Sequence, residues 1–585
     1  MDLKKERWIE YAKKADFQQW SRELHITPLT ARLLRNRDVT TLEEARDYLY
    51  GTMEDLSDPF LMKDMEKAVD ILCRAIQDRE VVAIVSDFDD DGIFAGEILY
   101  EGILNCGGKA VIYTPDRMTE GYGMNRRIID EAKRDGCSLI LTCDNGIACV
   151  EETAYARSLG LKVIITDHHE VQKVLPEADA VVDPKQEDCE YPFKGLCGAG
   201  VAFRLIQCLY RYFSIPAEKE EELYEYTAIA TVADVMELKG ENRILVKEGL
   251  KKLRDTDKTG LKALMEVCSL EPENLGAYHI GFVLGPCFNA VGRLSHARLA
   301  FDLLQTKDQV TAIELAREIH ELNEERKKET DLGYERAVEY LENSDCLQDK
   351  ILLVDIPGVH ESVVGIIAGR LKEKYYRPVF VFTDSGDIRK GSGRSIPDYH
   401  MLKGLLSCDD LLERFGGHAM AAGLSVKPEN LETLKIRLND ECTLNEKEMT
   451  PVIHIDARVP LSYISEEMIR ECGILEPFGV GNPTPLFARP HFSIHQIRRI
   501  GKNLNTLKMV VSDESGTRME ALLFNGAEEF LNLMQDTFGN EEVEKAFRGS
   551  VNALDCAFTY YPTINEFRGI KTLQITLKSY MIIPK

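Results

Sequence analysis

The sequence predicts an α/β protein with two α/β regions, a long helical connection between them and a small β-barrel at the C-terminal end. Apolar, strand-like segments alternate with amphipathic segments from about residue 70 to 240, as in a parallel sheet. A highly charged stretch without proline follows at 295–345, which favours one or two long helices. From residue 451 onward the strand-like segments are short and closely spaced, which indicates a closed barrel.

Five segments of the first region have the continuous apolar character of buried parallel strands. They are Val81–Val85, Ala110–Tyr113, Leu139–Thr142, Val163–Thr166 and Ala180–Val182. In the second region we predict strands at Ile351–Val354 and Val379–Phe382 and a helix at Val363–Lys374. The first 50 residues have helical spacing, with a T-L-E-E capping box starting at Thr41. We expect them to form a small helical cap on the domain that follows.

The composition narrows the class of protein. Hydrophobic residues make up 44% of the 585 residues, which is typical of a globular chain. The 15 cysteines include no CxxC pair, which argues against a zinc ribbon and against a disulfide framework. No apolar run reaches the roughly 20 residues that span a bilayer, and the first residues do not resemble a signal peptide. We therefore expect a cytoplasmic protein without a membrane partner.

The net charge of −26 argues against bulk, non-specific binding of nucleic acid. It leaves open an enzyme that acts on nucleic acid along a local basic groove, because positive charge is needed only where the strand runs.

The first predicted strand ends in an unusual acidic segment, Asp87-Phe88-Asp89-Asp90-Asp91-Gly92. If this segment is extended, Asp87, Asp89 and Asp91 project to one side, where their charges repel. A divalent cation with a preference for oxygen ligands would remove that repulsion. The alternative is a solvated acidic turn, which is common.

Three further segments favour the metal site over a solvated turn. Asp144 follows the third predicted strand, Asp167-His168-His169 follows the fourth, and Asp234 ends the apolar segment TAIATVAD. A lone histidine pair is more often structural, but this pair stands at a strand end beside the acids. The set predicts a site for two Mn²⁺ or Mg²⁺ ions. Its candidate ligands are Asp87, Asp89, Asp91, Asp144, His168 and Asp234.

The four motifs DFDDDG, CDNG, DHH and ATVAD, in this order, resemble those of the DHH phosphoesterase family. GPCFNAVGRL, VHESVVGIIAGRL, KGSGRSI, FGGHAMAAGLS and LEPFGVGNPTPLF also resemble the family's branch of bacterial exonucleases specific for single-stranded DNA. This resemblance implies a DHH catalytic domain at 51–294, connecting helices at 295–345 and a DHH-associated substrate-binding domain at 346–447. It also implies an OB-fold nucleic-acid-binding domain at 451–585, after the helical cap at 1–50.

The resemblance implies a metal-dependent 5′-to-3′ exonuclease that releases 5′-mononucleotides from single-stranded DNA in recombination and repair. The implied catalytic residues are Asp89, Asp91, Asp144, His168, His169 and Asp234. We expect Asp167 to orient His168, as carboxylates do for histidine ligands, and His169 to contact phosphate or support a ligand. Asp90 and Cys287 depart from the family pattern, in which a small residue and an arginine are common.

Most of the expected substrate-binding residues are basic or belong to glycine-rich segments, and both kinds of group can bind phosphate. They are Arg117, Asn289, Arg293, His360, Ser392, Gly393, Arg394 and His418. For the GSGRS segment we expect a loop whose backbone N–H groups surround a phosphate. Surface ion pairs for the arginines and core positions for the histidines are the alternatives.

The resemblance also implies a helicase and a single-strand-binding protein as partners. Two other functions stay open from the sequence. One is a DHH phosphodiesterase of short oligonucleotides or cyclic dinucleotides, and the other is a noncatalytic DHH-like replication scaffold.

Overall fold

The structure is a computed structural model, in which residues 6–117, 119–567 and 569–583 are described. It divides into two compact units. One unit comprises Asp55–Glu237 and Glu241–Pro451, and the other comprises the described residues of Met1–Glu54, Leu238–Gly240 and Val452–Lys585. No helix in the described part of the chain is both long enough and apolar enough to cross a membrane.

The chain begins with one short strand and three helices, which are β1 (Arg7–Glu10), α1 (Phe17–Leu24), α2 (Pro28–Asn36) and α3 (Leu42–Tyr50). The predicted capping box is present, because Thr41 and Glu44 exchange side-chain and backbone hydrogen bonds. These helices share a hydrophobic core with the C-terminal barrel, to which Leu33, Leu34 and Phe492 all contribute. The expectation that they cap the following domain is therefore wrong. Their apolar faces are buried within the barrel's unit.

A five-stranded parallel sheet follows, as predicted. Its strands are β2 (Val81–Ser86), β3 (Lys109–Tyr113), β4 (Leu139–Cys143), β5 (Lys162–Thr166) and β6 (Ala180–Val182). The strand order is β3-β2-β4-β5-β6, so the direction of winding reverses between β2 and β4. In open α/β sheets, ligands bind beyond the carboxyl ends of the strands at this switch point. The sheet thus fixes where a site is expected before any side chain is considered.

The helices of this region pack around the sheet and then continue as a helical layer. They are α4 (Met65–Gln77), α5 (Asp90–Asn105), α6 (Arg126–Arg134), α7 (Val150–Ser158), α8 (Gly198–Phe213), α9 (Ala217–Glu221), α10 (Tyr224–Ala233), α11 (Gly240–Arg254), α12 (Thr259–Val267), α13 (Ala277–His279), α14 (Gly285–Leu294) and α15 (Arg298–Gln305). A single π-helical turn, Ile280–Leu284, leads into α14. The predicted long connection is one helix of 34 residues, α16 (Gln309–Glu342).

The second α/β region contains a mixed five-stranded sheet of order β10-β11-β9-β8-β7. Its strands are β7 (Leu352–Asp355), β8 (Val379–Ser385), β9 (Ile388–Arg394), β10 (Leu412–Gly417) and β11 (Ala421–Val426), and its helices are α17 (Glu361–Tyr375), α18 (Met401–Leu406) and α19 (Leu431–Asp440). The core on one face joins α17 to β7 and β8, while α18 and α19 pack on the other face.

The C-terminal part forms the predicted closed barrel, in the order β13-β14-β15-β17-β16. Its strands are β13 (Phe487–Ile500), β14 (Thr506–Ser512), β15 (Arg518–Phe524), β16 (Asp555–Phe567) and β17 (Ile570–Ile582), and the helices of this part are α20 (Glu466–Gly473), α21 (Ala527–Phe538) and α22 (Asn540–Phe547). We expected the strand-like segments from residue 451 onward to form the barrel, but the first of them, PVIHIDARV, lies outside it. This segment forms β12 (Val452–Ile455), which pairs in parallel with β1.

Candidate metal centre and substrate cavity

The acidic segment after β2 is a helix start and not an extended strand end. The strand stops at Ser86, and the Asp89 side chain accepts a hydrogen bond from the Gly92 N–H at 3.1 Å, which caps α5. Asp90 and Asp91 therefore occupy the first turn of the helix. The prediction that Asp87, Asp89 and Asp91 share one side of an extended segment is wrong, although all three still reach the same site.

Asp91 is held by the start of another helix. Its two carboxylate oxygens accept hydrogen bonds from the Gly198 N–H at 2.6 Å and from the Ala199 N–H at 2.8 Å, both in the first turn of α8. An unpaired N–H group at a helix start favours a negative charge. These contacts fix the orientation of a carboxylate that would otherwise rotate. Our sequence analysis did not identify Gly198 or Ala199, and the only signal was the small-residue run Gly198-Ala199-Gly200.

Asp144 follows β4 and has a left-handed backbone conformation, with φ of 58°. This conformation is uncommon for a residue with a side chain, and such residues are concentrated at functional sites. The helix α8 approaches it so closely that a Cβ on Gly198 would lie 2.5 Å from the Asp144 Cβ. A glycine is therefore required at 198 for Asp144 to keep its position.

His168 is the residue that brings the separate acidic segments together. Its Nε2 lies 3.1 Å from Asp144 Oδ1, 3.6 Å from Asp91 Oδ2 and 3.9 Å from Asp234 Oδ2. Asp234 reaches this point because it ends α10. The side chain of His168 is buried, and burial lowers the pKa of its imidazole. A neutral imidazole is the form that binds a metal.

Asp167 orients His169 and not, as expected, the side chain of His168. Its Oδ1 lies 2.8 Å from His169 Nδ1, and it accepts hydrogen bonds from the backbone N–H groups of both histidines. Burial acts to lower the pKa of His169, but the bond to Asp167 and the surrounding carboxylates outweigh it and raise the pKa. Tyr122, another residue absent from our predictions, lies with its hydroxyl 3.2 Å from the same Nδ1 and donates to the Asp144 carbonyl.

The ligand atoms form three overlapping groups, and within each group they lie within 4.8 Å of one another. The groups are Asp87–Asp89–Asp144, Asp91–His168–Asp234 and Asp144–His168–His169. Asp144 belongs to two of them, so its carboxylate stands between the other ligands. All six predicted metal ligands are thus brought together, and His169 joins them.

The electrostatics of the centre suit divalent cations. Burial is the largest cause that raises the pKa of Asp87, Asp89 and Asp144, and repulsion from neighbouring carboxylates is the next. The same two causes raise the pKa of Asp234 to about 9. Neither carboxylate oxygen of Asp87 accepts a well-directed hydrogen bond from the described residues, although both are buried. Buried carboxylates without donors are costly unless a cation compensates them. The residues present therefore fit bound Mn²⁺ or Mg²⁺, whose preferred ligands are carboxylate oxygens and, for Mn²⁺, imidazole.

Asp90, one of the two departures from the family pattern, is not part of these groups. It is buried, and the Asn289 side chain lies beside its carboxylate. Burial and the charges of Asp89 and Asp91 raise the pKa of Asp90 well above its usual range. Asn289 therefore lies beside the acidic segment.

A cavity of about 350 Å³ lies beside the metal centre, between the two α/β regions. Arg117 lines it from the first region, and Ser362, Lys390, Ser392 and Arg414 line it from the second. The Arg117 guanidinium lies over the Phe88 ring, 5.1 Å from its centroid, and therefore adjoins the acidic segment. Lys390 and Arg414 were not among the predicted residues, because a lone basic residue in a strand has no distinctive sequence pattern.

The GSGRS segment does not form the expected phosphate-binding loop. It is part of β9, which is paired on both edges with β8 and β11, so its backbone N–H groups are engaged in the sheet. The two glycines make room for aromatic rings instead. An added Cβ on Gly391 would lie 2.5 Å from the Phe382 ring, and one on Gly393 would lie 2.6 Å from the Phe380 ring.

The opposite face of β9 carries the polar side chains that we predicted. Lys390, Ser392 and Arg394 alternate on this face, and the neighbouring strands β10 and β11 add Arg414 and Ser425. Arg394 Nη1 donates to Ser392 Oγ at 3.1 Å and to the Gly393 carbonyl at 2.8 Å. Burial lowers the pKa of Arg394, and no carboxylate pairs with it among the described residues. On the same face Lys390 pairs with Glu361 at 2.8 Å.

The remaining predicted contacts have different outcomes. Arg293 Nη1 donates to the Ser362 carbonyl at 2.6 Å, and His360 Nδ1 lies 2.7 Å from Ser362 Oγ and caps α17. Both residues therefore adjoin the cavity through Ser362. His418 lies exposed at the turn between β10 and β11 and is not among the lining residues.

Three family models match the chain in order. They are described as the DHH family, N-terminal domain, at residues 81–232, the DHHA1 domain at 348–443 and the RecJ OB domain at 455–579. A protein of Salmonella typhimurium named single-stranded-DNA-specific exonuclease RecJ is 35% identical, over 94% of this chain and 95% of the relative. The chain belongs to the RecJ family. A RecJ of Bacillus subtilis is 39% identical over 90% of this chain, but the chain spans only 66% of that relative's length.

Solved RecJ structures agree with this assignment. The RecJ of Thermus thermophilus in complex with Mn²⁺ matches 99% of this chain and 80% of its own, with a TM-score of 0.80 and 25% identity. An exonuclease RecJ bound to manganese matches 65% of this chain and 94% of its own, with a TM-score of 0.57 and 32% identity. The predicted family, fold class and type of metal cofactor are therefore confirmed.

Proposed function

We propose that this chain is an exonuclease that uses two Mn²⁺ or Mg²⁺ ions to hydrolyse single-stranded DNA from the 5′ end and release 5′-mononucleotides. The observation that carries the proposal is the position of Asp144. Its carboxylate belongs to the group formed with Asp87 and Asp89, and its Oδ1 lies 3.1 Å from the Nε2 of His168, a member of the group formed with Asp91 and Asp234. A carboxylate shared by two adjacent metal positions is the arrangement that two-metal hydrolysis requires.

When bound, the ions would lower the pKa of an attacking water and stabilise charge on the phosphate and on the departing oxygen. The protein supplies orientation. The N–H groups of Gly198 and Ala199 fix Asp91, and the left-handed Asp144 is supported by the Tyr122 hydroxyl at its carbonyl. Asp167 engages His169 Nδ1, which leaves Nε2 as the nitrogen able to bind a phosphate oxygen.

The polar face of β9 supports the assignment of the 5′ end. Arg394 has no carboxylate partner among the described residues and reaches the cavity through its hydrogen bond to Ser392 Oγ. The cavity itself is lined by Ser392 and by charged side chains, namely Arg117, Lys390, Arg414 and Glu361. Guanidinium groups bind phosphate through two parallel hydrogen bonds, more specifically than an ammonium group does. A terminal 5′ phosphate held there would place the next phosphodiester towards the metal centre, so that one nucleotide is released in each cycle.

The C-terminal barrel supports a long substrate. OB barrels bind single strands through base stacking and backbone charge. The match to the RecJ OB domain at 455–579 therefore favours a polynucleotide over the short oligonucleotides or cyclic dinucleotides of the first alternative. The complete set of metal ligands argues against a noncatalytic scaffold. A helicase and a single-strand-binding protein as partners, a role in recombination and repair, and a cytoplasmic location remain parts of the proposal.

The direction in which the protein degrades single-stranded DNA tests this function. A long single strand labelled at its 5′ end should yield labelled mononucleotide at once, in the presence of Mn²⁺ and not of a chelator. The same strand labelled at its 3′ end should yield labelled mononucleotide only after a delay that grows with length, and blunt duplex DNA should resist. Early release of the 3′ label would contradict the proposed direction, and cleavage confined to di- and trinucleotides would favour the oligonucleotide phosphodiesterase.

A further inference from the structure

A second cluster of metal-ligating side chains lies apart from the acidic centre, where three helices meet. Cys268 caps the C-terminal end of α12, Cys287 lies in the first turn of α14, and His320 lies in the long helix α16. Their ligand atoms all lie within 4.8 Å of one another. The catalytic proposal does not use this cluster, and Cys287 stands in the GPCFNAVGRL segment at a position where an arginine is common in the family.

Two of the three distances within the cluster are close to those of a tetrahedral thiolate site, and the third, between Cys287 and His320, is within 4.8 Å. The two sulfur atoms are 3.9 Å apart, and Cys268 Sγ lies 3.7 Å from His320 Nδ1. Tetrahedral zinc with metal–sulfur bonds of about 2.3 Å and metal–nitrogen bonds of about 2.0 Å separates its sulfurs by about 3.8 Å and sulfur from nitrogen by about 3.5 Å. An ion placed between the three atoms would therefore need little movement of the side chains.

The surroundings stabilise negative sulfur. Asn323 Nδ2 donates to Cys287 Sγ at 3.4 Å, and Arg326 fixes the orientation of that amide by donating twice to Asn323 Oδ1, at 3.1 and 2.9 Å. Such polar groups behind the ligands are a regular feature of metal sites.

We propose that Cys268, Cys287 and His320 form a third metal site, which binds one Zn²⁺-class ion with a water or other exogenous ligand in the fourth position. Soft sulfur ligands select this class of ion over Mn²⁺ and Mg²⁺. The three protein ligands of this site join α12, α14 and α16. It stabilises the helix α14, which carries Asn289 beside Asp90 and Arg293 beside Ser362.

The proposal explains why the sequence did not predict this site. Its ligands are separated by 19 and 33 positions, with no CxxC or HxxxH spacing, so only the packing of three helices brings them together. It also accounts for Cys287. A thiol in place of the common arginine supplies a ligand where Cys268 and His320 already lie.

Co²⁺ is a suitable probe, because thiolate ligands give it a charge-transfer absorption that carboxylate and imidazole ligands do not. The full-length protein, freed of metal and reduced, is titrated with Co²⁺. We expect a thiolate–Co²⁺ band that saturates at one equivalent and is abolished by added Zn²⁺. Cys268→Ser should lose the band, and His320→Gln should weaken Co²⁺ binding at least tenfold. His320 is half-buried on a helix, so this second variant tests the site even if Cys268→Ser folds poorly.

Two control variants separate this site from other sources of the signal. Cys106→Ser, which removes a partly exposed cysteine elsewhere, should keep the band. Asp144→Asn, which damages the acidic centre, should also keep it, while Cys268→Ser should retain Mn²⁺-dependent nuclease activity. A folded, reduced protein without the band, or a band that survives Cys268→Ser, would overturn the proposal. So would a Cys268–Cys287 disulfide in mass spectra together with no Co²⁺ binding after reduction.

Discussion

Gly198 shows how a residue without a functional group can determine the geometry of a metal centre. Its N–H group binds Asp91, and its missing side chain admits Asp144. We predict that Gly198→Ala lowers the nuclease rate at least tenfold, because the new methyl group would displace Asp144 from its position between the ligand groups. Rates of mononucleotide release at saturating Mn²⁺ test this.

Gly369 provides the matched control for that substitution. It lies in α17, and an added Cβ there would meet no atom within 4 Å. Gly369→Ala should leave the nuclease rate unchanged and stabilise the helix by up to about 1 kcal/mol. If Gly198→Ala were as active as Gly369→Ala, the close approach of α8 to Asp144 would have no role in positioning the ligand.

Glu97 gives a prediction for pH dependence. It is buried in α5, and burial followed by repulsion from Glu101 raises its pKa to about 8, from 4.5 in an unfolded chain. The folded state therefore favours the protonated form. Protonated Glu97 gives its full contribution to the stability of the fold below pH 4.5, and this contribution is lost as the pH rises through about 8. At pH 7 the loss is up to about 3 kcal/mol.

We therefore predict that Glu97→Gln, which mimics the protonated form, raises the melting temperature at pH 8 and has little effect at pH 4.5. Glu97 accepts a hydrogen bond from Gln305 that the amide oxygen of glutamine can also accept. Melting curves of both proteins across this pH range, at constant metal concentration, provide the test. A difference in melting temperature that is constant with pH would show that folding does not raise the pKa of Glu97.

At the scale of elements, the sheet of the first region was predictable almost residue by residue. Continuous apolar runs identify buried parallel strands, and each predicted strand agrees with the structure to within one residue at either end. The acidic segment was harder to predict, because helix capping by Asp89 competes with extension of the strand. The pairing of Asp167 with His169 could not be predicted, since it depends on how the chain turns after β5.

The glycine-rich segment of β9 was misassigned for a related reason. Glycine is unfavourable in strands in general, so GSGRS resembles a loop. In the structure Gly391 and Gly393 accommodate the rings of Phe382 and Phe380 from the neighbouring strand, a pairing that no local pattern predicts. The same alternation nevertheless places Ser392 and Arg394 on the face towards the cavity.

For this sheet we predict that Arg394→Ala reduces the preference for a 5′-phosphorylated end by about 10- to 100-fold. The loss of a charge-assisted contact of about 1.5–3 kcal/mol accounts for this range. Competition between 5′-phosphate and 5′-hydroxyl strands measures it. Metal binding should be unaffected, because Arg394 is not a ligand.

Arg389 is the control on the same strand. It lies on the other face of β9 and pairs with Asp355 at 3.1 Å, so Arg389→Ala should leave the end preference unchanged. An unchanged preference in Arg394→Ala, together with a lower melting temperature, would assign Arg394 a purely structural role.

At the scale of the whole molecule, the two compact units determine how the chain can be divided. The N-terminal helices share a core with the barrel, so removal of residues from 451 onward alone would expose that core. The fragment 55–451 avoids this problem.

We predict that the fragment 55–451 hydrolyses a trinucleotide at a rate similar to that of the full chain but binds long single strands at least tenfold more weakly. The metal centre and the cavity lie in the unit that is kept. The barrel, to which we assign the binding of long single-stranded DNA, is removed. Circular dichroism establishes that the fragment is folded. Equal losses on the trinucleotide and on the long strand would contradict the role of the barrel.

The central claim is that Asp144 and its neighbours hold the ions that hydrolyse the phosphodiester. The most direct measurement is the rate of mononucleotide release from a 5′-labelled single strand by Asp144→Ala at saturating Mn²⁺, compared with the native protein. Asp188→Asn, at an exposed ion pair with Lys63, serves as the control. We predict that Asp144→Ala is folded and releases no detectable nucleotide, while Asp188→Asn retains the native rate. Release by Asp144→Ala at a rate near that of the native protein would contradict the account.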